Sequence, residues 1–153
     1  MARKPITRAD FWRDYQFWAA FAAALPFWVW LWLMRPPLQP WLQLKAYWWP
    51  AILIILVYPV VEEIIFRGAL QGWLLKKVTK QLGPVSAANG LTSVLFTLLH
   101  GLRWQSGFSL LVIFPSLVFG YFRERSDGLI APILLHAFYN AGFYLIISPA
   151  IGS

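Results

Sequence analysis

Apolar residues in this chain come in five long runs, separated by short stretches that hold most of its charge and proline. The runs fall at residues 15–34, 47–75, 85–100, 108–122 and 129–147. At about 1.5 Å per residue, about 20 residues cross a hydrocarbon layer of about 30 Å, so the third and fourth runs are short. Backbone polar groups cannot stay unpaired in lipid, which predicts helices throughout. The expected fold is all-α: a polytopic transmembrane helix bundle of about five spans, with a four-helix catalytic core.

The proline-rich stretch at residues 35–40 (Pro36, Pro37, Pro40) reads as the one clear linker. It divides the chain into residues 1–46, a cytoplasmic segment with a leader span, and residues 47–148, the helical core. The basic N-terminus followed by an apolar run superficially suggests a signal peptide. That run is too long and too rich in tryptophan for one, and it ends in Arg35-Pro36-Pro37, so a retained span is expected.

Composition sharpens this reading. The 153 residues are 59% hydrophobic and 12% charged, with ten Trp, twelve Phe and six Tyr. So many large aromatics overfill one small soluble core, whereas a bilayer accepts them and favours Trp and Tyr at its interfaces. Absence of cysteine excludes disulfides, thiolate metal sites and a thiol nucleophile. The net charge of +7 lies in clusters between the runs, as topology determinants do, and forms no nucleic-acid-binding face. With the N-terminus inside, Arg3, Lys4, Arg8, Arg13, Lys76, Lys77, Lys80, Arg123 and Arg125 are internal, against Arg35, Lys45 and Arg103 outside. This bias predicts a multi-pass protein of the plasma (inner) membrane with a cytoplasmic N-terminus.

Three charges interrupt the second run: Glu62, Glu63 and Arg67, between Val60-Val61 and an apolar continuation. Each unpaired charge costs about 2.5–3.5 kcal/mol at the centre of a span, so their presence calls for a reason. Glu63 and Arg67, four residues apart, share a helix face and can pair. Glu62 points elsewhere, towards the side of Phe66, with no partner nearby in the sequence. A carboxyl in that setting is suited to take a proton from water, so Glu62 is the candidate general base, with Glu63 and Arg67 as support. Pro59 withholds a hydrogen bond from Ile55 and predicts a kink beside the carboxylates. Gly68 and Gly72 have helix-packing spacing, to which no function attaches.

Both histidines of the chain lie in apolar runs. His100 closes Phe96-Thr97-Leu98-Leu99-His100, and His136 opens His136-Ala137-Phe138-Tyr139-Asn140. A lone histidine in a span is commonly a structural hydrogen-bonder. Here two of them accompany two glutamates, and Asn140 shares a face with His136. Imidazole and amide together can hold a substrate carbonyl and stabilise a developing oxyanion. Counting residues puts His136 and Glu62 at about the same depth, about 10 Å from the inner side, and His100 deeper unless its helix begins near Asn89-Gly90.

These three motifs in this order resemble the CPBP family (CAAX proteases and bacteriocin-processing proteins), also called the Abi or type II CAAX prenyl protease family. The family pattern is Glu-Glu-x-x-x-Arg, Phe-x-x-x-His and His-x-x-x-Asn or Asp, and the resemblance covers roughly residues 48–147. It implies an intramembrane glutamic endopeptidase. Glu62 would activate water with help from His100, His136 and Asn140 would form the oxyanion site, and Glu63 and Arg67 would support them. Family enzymes often have about eight spans, so the five expected here leave the substrate-entry walls in question and point to a homo-oligomer or a partner subunit.

The expected function is hydrolysis of a peptide bond near the C-terminus of a membrane-anchored or exported protein, whether a CAAX tail or a C-terminal sorting signal. A non-catalytic self-immunity or binding protein of the same fold is the alternative, and an ion or proton transporter a weaker one. Expected partners are a peptide or protein substrate and the lipid bilayer, not nucleic acid. A metal-free mechanism is favoured, because no His-Glu-x-x-His occurs. If zinc took part, Glu62, His100 and His136 would be its ligands.

Overall fold

The computed structural model describes residues 10–34, 48–104 and 107–147. The proline-rich linker and the basic residues Arg3, Lys4, Arg8, Arg35 and Lys45 lie outside the described residues. The described chain is all-α. Helix α1 spans Tyr15–Met34, α2 Trp48–Leu75, α3 Ala87–Trp104, α4 Ile113–Arg125 and α5 Ile130–Ile147. A 3₁₀ turn, Gly107–Val112, leads into α4. It takes the first part of the expected fourth span, so the α-helix there begins five residues later than the apolar run.

Between α2 and α3 stands a small antiparallel hairpin, β1 (Gln81–Leu82) and β2 (Val85–Ser86), pairing Gln81 with Ser86 and Leu82 with Val85. Gly83 turns it with φ +67°, a conformation open to glycine. The apolar runs gave no sign of it, since two-residue strands are too short to show alternation.

Long-range contacts fix an alternating bundle. Asp14, just before α1, pairs with Arg125 at the end of α4. Late in α2, Gln71 reaches Glu124, which also takes Ser86 of β2, just before α3. The start of α1, the end of α2, the hairpin, the start of α3 and the end of α4 therefore meet at one end of the bundle. Lys76, Lys77, Lys80, Arg123 and Arg125 gather there too. The aromatic centre of this end comprises Phe11, Phe17, Phe119 and Phe122, closed by Ala20, Ala131 and Leu135.

The partition of residues is inverted relative to a water-soluble protein. On α2, Val60, Val61, Ile64 and Ile65 face outward, while Glu63, Arg67 and Gln71 are fully buried. On α3, Leu91, Val94, Leu95, Leu98 and Leu99 are exposed, while Asn89, Thr92 and Ser93 are buried. A hydrocarbon solvent suits such a surface and water does not. Helices α1 and α2 have the length and apolarity to cross a membrane. Helices α3 and α4 carry inward polar side chains (Asn89, Thr92, Ser93; Ser116, Glu124), which lower their mean hydropathy.

Candidate active site

Helix α2 supplies the charged ladder, and its winding decides how the ladder is presented. Residues Leu53–Val57 and Ile64–Gln71 are wound as π-helix, with α-helix at Tyr58–Glu63 between them. Winding looser than 3.6 residues per turn stacks positions four and eight apart almost directly above one another. Glu63, Arg67 and Gln71 thus line one buried face.

The ion pair expected from spacing is present: Arg67 Nη1 lies 3.0 Å from Glu63 Oε1, both side chains fully buried. The N–H is not aimed at the oxygen, so this contact is ionic rather than a directed hydrogen bond. Direction comes from α4. Arg67 Nη2 donates to Ser116 Oγ at 2.7 Å and to the Ser116 carbonyl at 3.0 Å. The guanidinium also lies over the Phe96 ring at 4.6 Å and near Phe119 at 5.5 Å. Below it, Gln71 Nε2 donates to the Gly120 carbonyl at 3.0 Å and to Glu124 Oε1 at 2.7 Å. Ser116, Gln71 and Glu124 were not singled out from the sequence. The available signal was Gln71, a further polar residue four beyond Arg67 in an apolar helix.

Helix α5 brings His136 against the two carboxylates. His136 is buried, and its Nδ1 lies 2.8 Å from Glu63 Oε1. Its Nε2 lies 3.6 Å from Glu62 Oε2. A carboxylate only accepts, so the Nδ1 hydrogen is donated to Glu63 and Nε2 is turned towards Glu62. This adds partners that spacing within one helix does not supply. Glu62 has a partner, contributed from α5, and Glu63 serves His136 as well as Arg67. Glu62 keeps a side-chain exposure of 29%, so it remains reachable while Glu63 does not.

His100 stands at the far end of α3 from the hairpin. Its Nδ1 lies 3.0 Å from the Phe96 carbonyl, which can only accept, so Nε2 carries the free lone pair. Glu62 and His136 are both within electrostatic reach of it. The Phe96 ring contacts both imidazoles, with centroids 4.3 Å from His100 and 5.8 Å from His136. The two histidines therefore both contact one ring.

Asn140 has a backbone partner on α2 that its spacing from His136 did not indicate. Its Nδ2 donates to the Ile54 carbonyl of α2 at 2.9 Å. It shares the face of His136, but this amide hydrogen is spent on backbone.

Among the described residues no group of three or more His, Asp or Glu converges to hold a metal ion. Glu62, His100 and His136 as placed do not form such a group.

Residues 43–142 match the family model described as type II CAAX prenyl endopeptidase Rce1-like. All three motifs, from Glu62 to Asn140, fall inside that match. No curated protein and no solved structure matches the chain. A match over more than half of the chain, with a lipid-suited exterior around buried charge, makes this protein a member of the type II CAAX prenyl endopeptidase family, a family of membrane proteases.

Proposed function

We propose that the chain is an intramembrane endopeptidase that hydrolyses a peptide bond near the C-terminus of a membrane-anchored or exported protein, using water activated by Glu62. The observation that carries this reading is the His136 imidazole held between two carboxylates of different exposure. Glu63 is buried and fixed by Arg67, whereas Glu62 is partly open at 3.6 Å from Nε2.

The roles follow from what each atom can donate or accept. Glu62 takes a proton as the water oxygen adds to the scissile carbonyl carbon. The Nε2 lone pair of His100 accepts the second water hydrogen and orients the nucleophile. His136, held at Nδ1 by Glu63, presents Nε2 to the scissile carbonyl and, as the imidazolium, donates Nε2–H to the developing oxyanion. Collapse of the tetrahedral intermediate breaks the C–N bond, and Glu62 returns its proton to the leaving amine. Glu63 and Arg67 touch no substrate and hold His136 in place.

The basic end of the bundle, with Lys76, Lys77, Lys80, Arg123 and Arg125, is assigned to the cytoplasmic face of the inner membrane. Support for a prenylated tail as substrate is the family membership alone, and a sorting signal fits the same chemistry. The test is cleavage of tailed peptides by the purified chain in lipid vesicles. Wild type should cleave and Glu62→Gln, His100→Ala and His136→Ala should not. Undiminished cleavage by Glu62→Gln would remove the general base from this scheme. Absence of cleavage by wild type on both prenylated and sorting-signal peptides, with binding preserved in all three variants, would favour a non-catalytic binding protein.

A further inference from the structure

The geometry assigns Asn140 as a positioning residue: it caps a backbone carbonyl of α2 that Pro59 leaves without a donor, and so fixes the turn that presents Glu62. This rests on the reading of Glu62 as the general base.

The starting observation is a gap in the hydrogen bonding of α2. In the π-wound segment Leu53–Val57 the Tyr58 N–H bonds to the Leu53 carbonyl, one residue further back than in an α-helix. Ile54 thereby loses its α-helical donor. Its donor in the π register would be residue 59, and Pro59 has no N–H. The Ile54 carbonyl is therefore orphaned twice over, by winding and by sequence. A buried carbonyl without a partner carries a desolvation cost, and in lipid no backbone group can escape it.

Asn140 fills the gap from α5, with Nδ2 2.9 Å from the Ile54 oxygen. Its own helix also carries His136, one turn away. The two side chains therefore bind α2 on either side of Pro59: Asn140 holds Ile54 before it, and His136 holds Glu63 after it. Between those two ties lies the α-helical stretch Tyr58–Glu63, which contains Glu62. Releasing one tie frees that stretch to rewind about the other. A displacement of about 1 Å at a reacting group is enough to cost about a hundredfold in rate.

The sequence offers a direct rescue, because replacing proline by alanine restores an N–H at position 59 that can satisfy Ile54. The experiment is a double-mutant cycle on the full chain in vesicles, using a fluorescence-quenched peptide with a prenylated C-terminal tail. Asn140→Ala should lower kcat about tenfold to a hundredfold with KM changed less than about twofold. Asn140→Asp, which keeps the shape but loses the donor, should behave alike at neutral pH. Pro59→Ala alone should retain activity. Pro59→Ala combined with either Asn140 variant should return kcat to within about threefold of Pro59→Ala. Thermal unfolding of the same proteins in detergent should show the same coupling.

Full activity in Asn140→Ala overturns the proposal. So does a double variant as slow as Asn140→Ala, which would place the amide on the reacting oxyanion instead. Coupling in stability without coupling in kcat also overturns it, since Asn140 would then support the fold only. None of these outcomes depends on Glu62→Gln, and cleavage surviving in that variant would defeat the general-base reading separately. If wild type cleaves no peptide, the unfolding cycle still decides whether Asn140 caps Ile54.

Discussion

His136 Nδ1 reaches Glu63 Oε1 at 2.8 Å across 73 residues of chain, and this contact joins the two helices that carry the candidate chemistry. The same oxygen lies 3.0 Å from Arg67 Nη1. Glu63 is thus shared between a cation that neutralises it and an imidazole that it orients. Adjacent glutamates so acquire different duties: Glu63 is sealed inside, and Glu62 stands at the opening.

Those duties separate by experiment. Glu63→Gln leaves Arg67 buried without its counter-charge, and breaking such a pair costs about 3–5 kcal/mol. A large fall in the thermal midpoint is expected, with activity lost alongside. Glu62→Gln, at a partly exposed site, should keep stability within about 1 kcal/mol of wild type and lower kcat about a hundredfold to ten-thousandfold. Equal destabilisation by the two variants would contradict the division.

Ser116 holds Arg67 through both its hydroxyl and its carbonyl. Ser116→Ala deletes one charge-assisted hydrogen bond and leaves the other, so a loss of about 1.5–3 kcal/mol is expected. Ser116→Thr keeps the hydroxyl and should recover part of it. Unfolding midpoints in detergent decide the matter.

Close packing of helices occurs at Gly120 and Gly142. A methyl group on Gly120 would overlap the Asn89 side chain, and one on Gly142 would overlap the Trp28 indole. Alanine at either site should destabilise by about 1–3 kcal/mol. At Gly72 the nearest atom to an added methyl is the Arg67 carbonyl at 3.9 Å, so Gly72→Ala should be neutral or mildly stabilising. Expression and thermal midpoints of the three variants measure this ranking.

Asp14 and Arg125 tie the start of α1 to the end of α4. Burial alone would raise the Asp14 carboxyl; hydrogen bonds from Arg125 and from the Gln16 backbone N–H outweigh it and hold the group below 3.8. A group lowered on folding contributes stability above its unfolded value and loses it as pH falls through the folded one. Asp14→Asn should therefore be less stable than wild type at neutral pH, by about 1 kcal/mol. The difference should shrink as pH drops below 3.8. A gap that persists unchanged at the acid end would exclude this ion pair as its source.

Much of this architecture was legible along the chain, because a bilayer imposes a simple rule. Apolar runs long enough to cross it must close their own hydrogen bonds, so the helices at Tyr15–Met34 and Trp48–Leu75 fall where the runs do. The Glu63–Arg67 pair followed from four-residue spacing on one helix. Within the motifs, all six singled-out residues lie on α2, α3 or α5. Spacing could not say that π-winding brings Gln71 under Arg67, since the period of a helix is set by its packing as well as its sequence.

What the sequence by itself determined is therefore local: which segments are helical, which charges are buried at a cost, and which of them can pair within a turn. Tertiary structure decided the partners that come from other helices. It turned Glu62 towards His136, gave Glu63 to two cationic or donating groups, and joined Asn140 to the Ile54 carbonyl. The physical reason is that a buried donor or acceptor must be satisfied by whatever atom lies within about 3 Å. Which atom that is depends on how the helices dock, over separations of 73 and 86 residues that no periodicity spans.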